Sequence, residues 1–197
     1  FRRNDGKWYF LTFYETINIH EEVNIMNEVD LTKLSKEELI DLVKAYSRLF
    51  LALDGFWFLA VEEKHGYKDA VEIDTKAWEG YFPYEARLLR KTLGIKEEGL
   101  PGIIETLKHS AFVPCMEHVI DMISEHRGVI SLYKCPSLEA MEKAGRTEFV
   151  CEPVGTTVFQ KYATSIDPRV KVKFLDGPPR KSPEDVSCKW EFTYDDE

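Results

Sequence analysis

The chain has 197 residues, of which 44% are hydrophobic and 31% charged, and its net charge at pH 7 is −9. This length and composition predict one globular domain with a substantial hydrophobic core. The negative charge argues against nonspecific binding to nucleic acid or to anionic membranes, which requires clustered Lys and Arg. No apolar run is long enough to span a membrane, no signal peptide is visible, and four dispersed cysteines favour a cytoplasmic location over secretion.

The first 30 residues are predicted to form an arm, followed by a single domain over residues 31–197. Within the arm, the segment Trp8–Tyr14 is aromatic and apolar on both faces. An extended segment of this kind has to be covered by other protein surface. We therefore expect residues 8–19 to pack against the domain or to join two copies of the chain as a homodimer.

A long amphipathic helix is predicted over residues 36–64. It opens on a capping box formed by Ser35 and Glu38, and apolar residues then recur at intervals of three and four along one face. Asp54 and Gly55 interrupt its most apolar stretch, although neither residue favours a helix interior. We expect the glycine to allow close approach of another backbone or a ligand, so that Gly55→Leu would perturb packing.

The remaining pattern predicts an α+β fold with a helical half over residues 35–113 and a sheet half over residues 114–197. Strand pairs separated by helices favour an N-terminal helical half packed on a C-terminal antiparallel β-β-α-α-β-β sheet. Further helices are expected at residues 69–80, 83–93, 103–112, 138–144 and 156–165. Strands are expected at residues 117–125 and 129–135 around an Arg127-Gly128 turn, at 170–174 and at 186–194, with an extended segment at 148–152.

Two acids on the long helix are candidate catalytic residues. Asp54 lies at the edge of the apolar stripe, and Glu62 lies two turns further along a similar face. A buried carboxylate without a partner takes up a proton and can then serve as a general acid or base. Glu85, Asp74 and Arg87 are predicted neighbours from later helices. The alternative is structural, with Asp54 capping another helix or pairing with Arg87.

Cysteine residues supply the candidate metal ligands. Cys135, Cys151 and Cys188 could converge on one edge of the sheet, with His118 or Cys115 as a fourth ligand. Four such ligands bind zinc or an iron–sulfur cluster, so zinc and iron are the cofactors to consider. No Cys-x-x-Cys pair is present, and the alternatives are buried, inert thiols or a single reactive thiolate.

Motifs in both halves of the chain carry a resemblance to a known family. In the helical half these are Leu53–Gly66, Asp74, Trp78 and Glu85–Arg87; in the sheet half they are Cys135, Gly145, Phe149–Cys151, Val154-Gly155, Ile166–Val170, Pro178-Pro179 and Cys188–Phe192. Through them the chain resembles, over residues 31–194, an uncharacterised prokaryotic family labelled only as carrying a domain of unknown function.

That family is in turn distantly similar to the L-2-amino-thiazoline-4-carboxylate hydrolases. Its β-rich half also resembles 4-vinyl reductase and haem-NO-binding-like domains, which bind small ligands. The resemblance implies a ligand pocket between helices and sheet, but a fold-level analogy assigns no reaction. Many members carry a Cys-x-x-Cys just before the Pro-Pro pair, where this chain has Phe174 and Gly177, and this departure weakens a cysteine-rich metal site.

Three functions remain open at this point. The favoured one is binding or sensing of a small molecule, with aromatic walls from Trp57, Trp78 and Trp190 and with acids such as Glu85 as orienting groups. It is favoured because no activated nucleophile is visible in the sequence.

The second function is hydrolysis of a small cyclic amide-like or thiazoline-like metabolite, in which Asp54, Glu62 or Cys151 would be the acid, base or nucleophile. The third is a structural subunit that docks a partner through the N-terminal aromatic arm.

Overall fold

The structure is a computed structural model, and it describes residues 30–146 and 151–194. The chain divides into two compact units, residues 1–39 and residues 40–197. The predicted aromatic arm, its proposed homodimer contact at residues 8–19 and most of the extended segment predicted at 148–152 lie outside the described residues.

The described part of the first unit contains the start of the long helix. Ser35 donates its backbone N–H to Glu38 Oε2 at 2.7 Å, and Glu38 donates its own to Ser35 Oγ at 3.1 Å. This reciprocal pair is the predicted capping box, which satisfies amides that have no partner inside the helix. Helix α1 follows directly and spans Lys36–His65.

Four more helices and four strands follow in the second unit. The helices are α2 (Tyr67–Leu93), α3 (Gly99–Leu107), α4 (Pro136–Lys143) and α5 (Glu152–Thr164), and the strands are β1 (Glu117–Ser124), β2 (Arg127–Lys134), β3 (Val170–Asp176) and β4 (Cys188–Tyr194). The predicted α+β class is confirmed, with most of the helices preceding the sheet.

The four strands form one antiparallel sheet in the order β1-β2-β4-β3. On one face, Trp190 of β4 lies between Ile130 of β2 and Phe174 of β3. This face shares a hydrophobic core with α2, α3 and α5, to which Ile104 and Phe159 contribute. The predicted period-two pattern of β4 is confirmed, because its buried residues alternate with half-buried ones.

The prediction that a helix ends before Pro83 is wrong, because α2 continues through this proline. A proline inside a helix removes one backbone hydrogen bond and costs about 3 kcal/mol. Here the residues on either side are buried against the core, including Phe82 and Ala86. Burial of these side chains offsets the local cost, so one long helix stands where two were predicted.

Three boundaries also differ from the sequence-based expectation. Helix α3 begins at Gly99 rather than at residue 103, because Pro101 lies in its first turn, where no backbone donor is needed. The turn between β1 and β2 is Glu125-His126 rather than Arg127-Gly128. Cys151 has helical backbone angles and precedes α5, so it does not belong to a strand as predicted.

The apolar stripe predicted for α1 is exposed over most of its length. The buried residues of α1 are Ser47, Leu51 and Phe58, whereas Leu53 of the stripe is 70% exposed. Apolar residues occur on both faces of this helix, so their periodicity alone does not indicate which face is buried.

Within residues 30–146 and 151–194, no helix is long and apolar enough to cross a membrane.

Candidate functional site

A partly open hollow of about 190 Å³ lies within the second unit. Helices α1 and α2 provide Asp54, Asp74 and Trp78 to its wall, and the region around α5 and β4 provides Cys151 and Trp190. Most of the other lining side chains are apolar or aromatic. A concave apolar surface with a few convergent polar groups is the usual form of a small-molecule site.

Two carboxyl groups and an indole form the polar part of this wall. Trp78 donates its Nε1–H to Asp54 Oδ1 at 3.0 Å. Asp74 lies one helical turn before Trp78, so both side chains project from the same face of α2. The Asp74 and Asp54 carboxyls interact with each other, and Asp74 Oδ1 is buried with no hydrogen-bond partner among the described residues.

Burial and mutual repulsion change the acidity of these two groups. Burial raises the pKa of Asp74 from its ordinary value of 3.8 to about 7, and the charge of Asp54 and the hydrogen bond between the two carboxyls add to the rise. Burial also raises the pKa of Asp54, while hydrogen bonds from Trp78 and Asp74 lower it in part. Two such carboxyls share one proton, because two negative charges side by side in an apolar environment repel each other strongly.

The cysteine thiols beside the hollow are half-buried or buried, and their pKa values are raised. Burial raises the pKa of Cys188 to about 12, and it raises the pKa values of Cys151 and Cys135 as well. The thiol of Cys135 contributes to the rises at Cys151 and Cys188, and the thiol of Cys115 contributes to the rise at Cys135, so these thiols lie close together. A thiol with a raised pKa holds its proton at neutral pH and is a poor nucleophile. Cys151 therefore lines the hollow without being activated.

No metal site is formed by the predicted ligands. Among the residues that the structure describes, no three His, Cys, Asp or Glu side chains are placed to hold a metal ion. His118 is exposed at the start of β1, with its Nδ1 3.1 Å from the backbone oxygen of Met116. The predicted set of Cys135, Cys151 and Cys188 with His118 or Cys115 is thus not arranged as a metal site among these residues.

Trp57 and Glu62, two more of the predicted site residues, lie away from the hollow. Trp57 is 57% exposed on the opposite side of α1, and it is the next residue, Phe58, that lines the hollow. Glu62 forms a two-pronged ion pair with Arg146, in which Nη1 lies 2.7 Å from Oε2. The guanidinium of Arg146 also lies over the ring of Tyr67. Glu62 thus has Arg146 as its partner and does not line the hollow.

Glu85, predicted as a ligand contact, is buried in a different place and holds two elements together. Its carboxylate accepts hydrogen bonds from Tyr81 Oη at 2.8 Å, Ser110 Oγ at 2.6 Å and the backbone N–H of Ala111 at 2.8 Å. Burial raises its pKa, and these three donors lower it in part. The alternative neighbour Arg87 is exposed, and the partner of Asp54 is Trp78 instead.

Two glycines have opposite roles around the hollow. A Cβ atom placed at Gly155 would lie 2.3 Å from Cζ2 of Trp190, so only glycine allows α5 to lie directly on that ring. A Cβ atom at Gly55 would meet nothing within 4 Å. No other backbone approaches Gly55, so that part of the prediction is wrong, whereas close approach of a ligand stays a prediction because Gly55 lines the hollow.

Asp74 is the important site residue that sequence reasoning named only as a neighbour. Its spacing of four residues from Trp78 could have placed both on one helical face. The aromatic side chains Phe82 and Phe159, which also line the hollow, carry no comparable signal. Aromatic residues at helical spacing are ordinary core residues, and only the tertiary structure brings these two to the same space.

Comparison with known proteins gives one match. The model of a family of unknown function (DUF6125) matches residues 32–194. Searches of the curated proteins and of the solved structures found no match. The matched range includes every residue of the hollow described above. The chain therefore belongs to DUF6125, a family of unknown function.

Proposed function

We propose that this protein binds or senses a small, mainly apolar molecule that carries one basic nitrogen group. The observation that supports this most directly is the Asp54–Asp74 pair in the wall of an otherwise apolar hollow. A cavity of about 150 Å³ is large enough to hold benzene, so the ligand would have about 6–10 non-hydrogen atoms.

Charge determines the ligand class. The carboxyl pair shares a proton near neutral pH, which leaves it with about one negative charge. No Lys, Arg or His is among the described residues that line the hollow. A buried carboxylate is stabilised by an opposite charge or by hydrogen-bond donors. An ammonium or amidinium group would supply both, while the aromatic walls contact the apolar part of the molecule.

Binding of small arylalkylamines, which are protonated at neutral pH, compared with neutral molecules of the same shape, tests the proposal. Isothermal titration and native mass spectrometry should detect the amines with the wild-type protein. Asp54→Asn should weaken amine binding by at least about 10-fold, since it removes a charged partner. Asp41→Asn is the matched control, because Asp41 lies on the same helix with its side chain 79% exposed. Equal affinity for amines and neutral analogues would overturn the proposal.

Hydrolysis is a second candidate, supported by the same pair of acids. Two neighbouring carboxyls of unequal pKa can divide the roles of general acid and general base. Burial raises the pKa of Cys151, which argues against this thiol as nucleophile and leaves Asp54 and Asp74 to activate a water. Turnover of a cyclic amide or thiazoline that is lost in both Asp54→Asn and Asp74→Asn, with the fold retained, would favour this candidate.

A further inference from the structure

Helix α1 has a second apolar face that the fold does not use. Only three of its 30 residues are buried. On the side opposite Leu51 and Phe58, large apolar side chains are 57–73% exposed. These are Tyr46, Leu49, Leu53, Phe56 and Trp57. Among the described residues nothing covers this face, and such a continuous apolar surface usually marks an interface.

The spacing of this face is that of a coiled coil. Residues Leu42, Tyr46, Leu49, Leu53, Phe56 and Ala60 follow each other at alternating intervals of four and three. We call these six residues the outer seam. A repeat of this kind, 3.5 residues on average, keeps one stripe of a helix against another helix over several turns. The core contacts of α1 do not require it, because they come from the opposite side.

A second copy of the chain is the occupant that fits this seam. Full coverage of the seam and of Trp57, whose most exposed side chains are 57–73% exposed, would bury at most roughly 700 Å² per copy, or about 1,400 Å² for a pair, which lies within the range of specific interfaces. Between Leu49 and Val61 the one charged residue is Asp54, and it lines the hollow on the other side. No charge therefore opposes association along this stretch.

The charges at the two ends of α1 give the orientation of the pair. Read in either direction, the intervals of the seam are the same, so an antiparallel partner keeps the six residues in register, with Leu42 opposite Ala60. Leu49 then lies opposite Leu53 of the second copy, and Tyr46 lies opposite Phe56. The helix is acidic in its first turn and basic in its last turn, so this orientation also brings opposite charges together at both ends.

We propose that two copies of this protein associate through the outer seams of their α1 helices, packed antiparallel. The hollow and the seam lie on opposite sides of the same helix, so association leaves Asp54 in its own domain. This interface is distinct from the predicted contact through residues 8–19, and it does not depend on the ligand proposal.

Sedimentation of the 197-residue chain tests the association. The wild-type protein should have about twice the monomer mass of 22.9 kDa. Leu53→Glu and Phe56→Glu should each raise the dimer dissociation constant by at least about 100-fold, since each places a charge in the centre of the interface. Leu93→Glu is the control, because Leu93 is 50% exposed at the end of α2 and outside the seam. The Leu93→Glu variant should remain a dimer.

Cysteine cross-linking tests the orientation and does not depend on destabilising variants. A mixture of Leu49→Cys and Leu53→Cys proteins should give a disulfide between the two, identified by mass spectrometry, whereas each variant alone should give little. Cross-linking of each variant to itself would indicate a parallel pair and overturn the orientation. A wild-type monomer at about 100 μM, or a dimer that persists in both Glu variants, would overturn the proposal, as would a monomer that instead binds lipid vesicles.

Discussion

Asp74 shows how a single buried carboxyl makes stability depend on pH. Its pKa is about 7 in the folded protein, against an ordinary value of 3.8. Below pH 3.8 both the folded and the unfolded chain carry the proton, so the group contributes nothing. Between pH 3.8 and 7 only the folded chain keeps the proton on Asp74, so the free energy of unfolding falls with each unit of rising pH. Above pH 7 the cost is constant.

Replacing Asp74 with Asn should remove this cost. We expect Asp74→Asn to be more stable than wild type by about 1–3 kcal/mol at pH 8, with the difference shrinking toward zero near pH 4, because the neutral amide needs no proton. Urea denaturation at several pH values measures the difference. Asp41→Asn is the control and should follow the wild-type pH dependence. A difference that grows at low pH would contradict the assigned direction of the pKa shift.

The two glycines of the hollow make a matched pair for substitution by alanine. Gly155→Ala should destabilise the protein by about 1–3 kcal/mol, because its Cβ would overlap the buried ring of Trp190. Gly55→Ala should stabilise it by about 0.5–1 kcal/mol, because alanine favours the helix and meets no atom there. Thermal unfolding of both variants measures the contrast. Similar losses at both positions would show that the hollow beside Gly55 is closed.

At the scale of elements, Glu85 connects α2 to the turn that follows α3. It accepts three hydrogen bonds, two of them from Ser110 and Ala111. Without the Glu85 carboxylate, these buried donors would have no acceptor unless a water molecule took its place. The helix is thus fixed in position at its middle, close to the place where Pro83 interrupts its own hydrogen bonding.

Removal of this carboxylate should therefore be costly. Glu85→Ala should lower the free energy of unfolding by about 2–4 kcal/mol, since it leaves three donors unsatisfied and a small cavity. Glu72→Ala on the exposed face of the same helix should change it by less than about 0.5 kcal/mol. Urea denaturation compares the two variants, and equal effects would argue against a connecting role for Glu85.

The existence and type of most elements were predictable from the sequence, because capping residues, turn residues and periodicity act locally. The capping box of α1 and the alternation in β4 are examples. Local signals failed where distant burial outweighed them. Pro83 is retained inside α2 because its neighbours pack in the core, and the buried side of α1 could not be identified because both sides are apolar.

At the scale of the whole molecule, the hollow depends on contacts between distant parts of the chain. Asp54 and Trp78 were predicted as site residues, yet their hydrogen bond joins two helices. Trp57 was predicted for the same wall, but the next residue of the helix, Phe58, points into the hollow and Trp57 lies outside it. Composition and spacing can indicate which residue types line a site, whereas the direction of each side chain follows only from packing.

The proposed ligand class predicts how affinity varies with pH. Binding of an arylalkylamine with a pKa above 9 should strengthen between pH 5 and 8, because the carboxyl pair gains negative charge as pH rises through the pKa of Asp74, about 7. One additional negative charge beside the bound ammonium group should raise the affinity by about 10-fold. Asp74→Asn should make the profile flat over this range. Affinity that falls with rising pH would contradict the proposed basic ligand.

In the Leu53→Glu variant, which should be a monomer, little of α1 is anchored, so among the long helices α1 should be the first to exchange its backbone amides with deuterium. In the wild-type dimer the outer seam should slow this exchange. The centre of β4, where Trp190 is almost inaccessible, should exchange only when the whole domain unfolds. Brief detachment of this helix would expose the acid pair to the surroundings and provide a route by which a molecule enters or leaves.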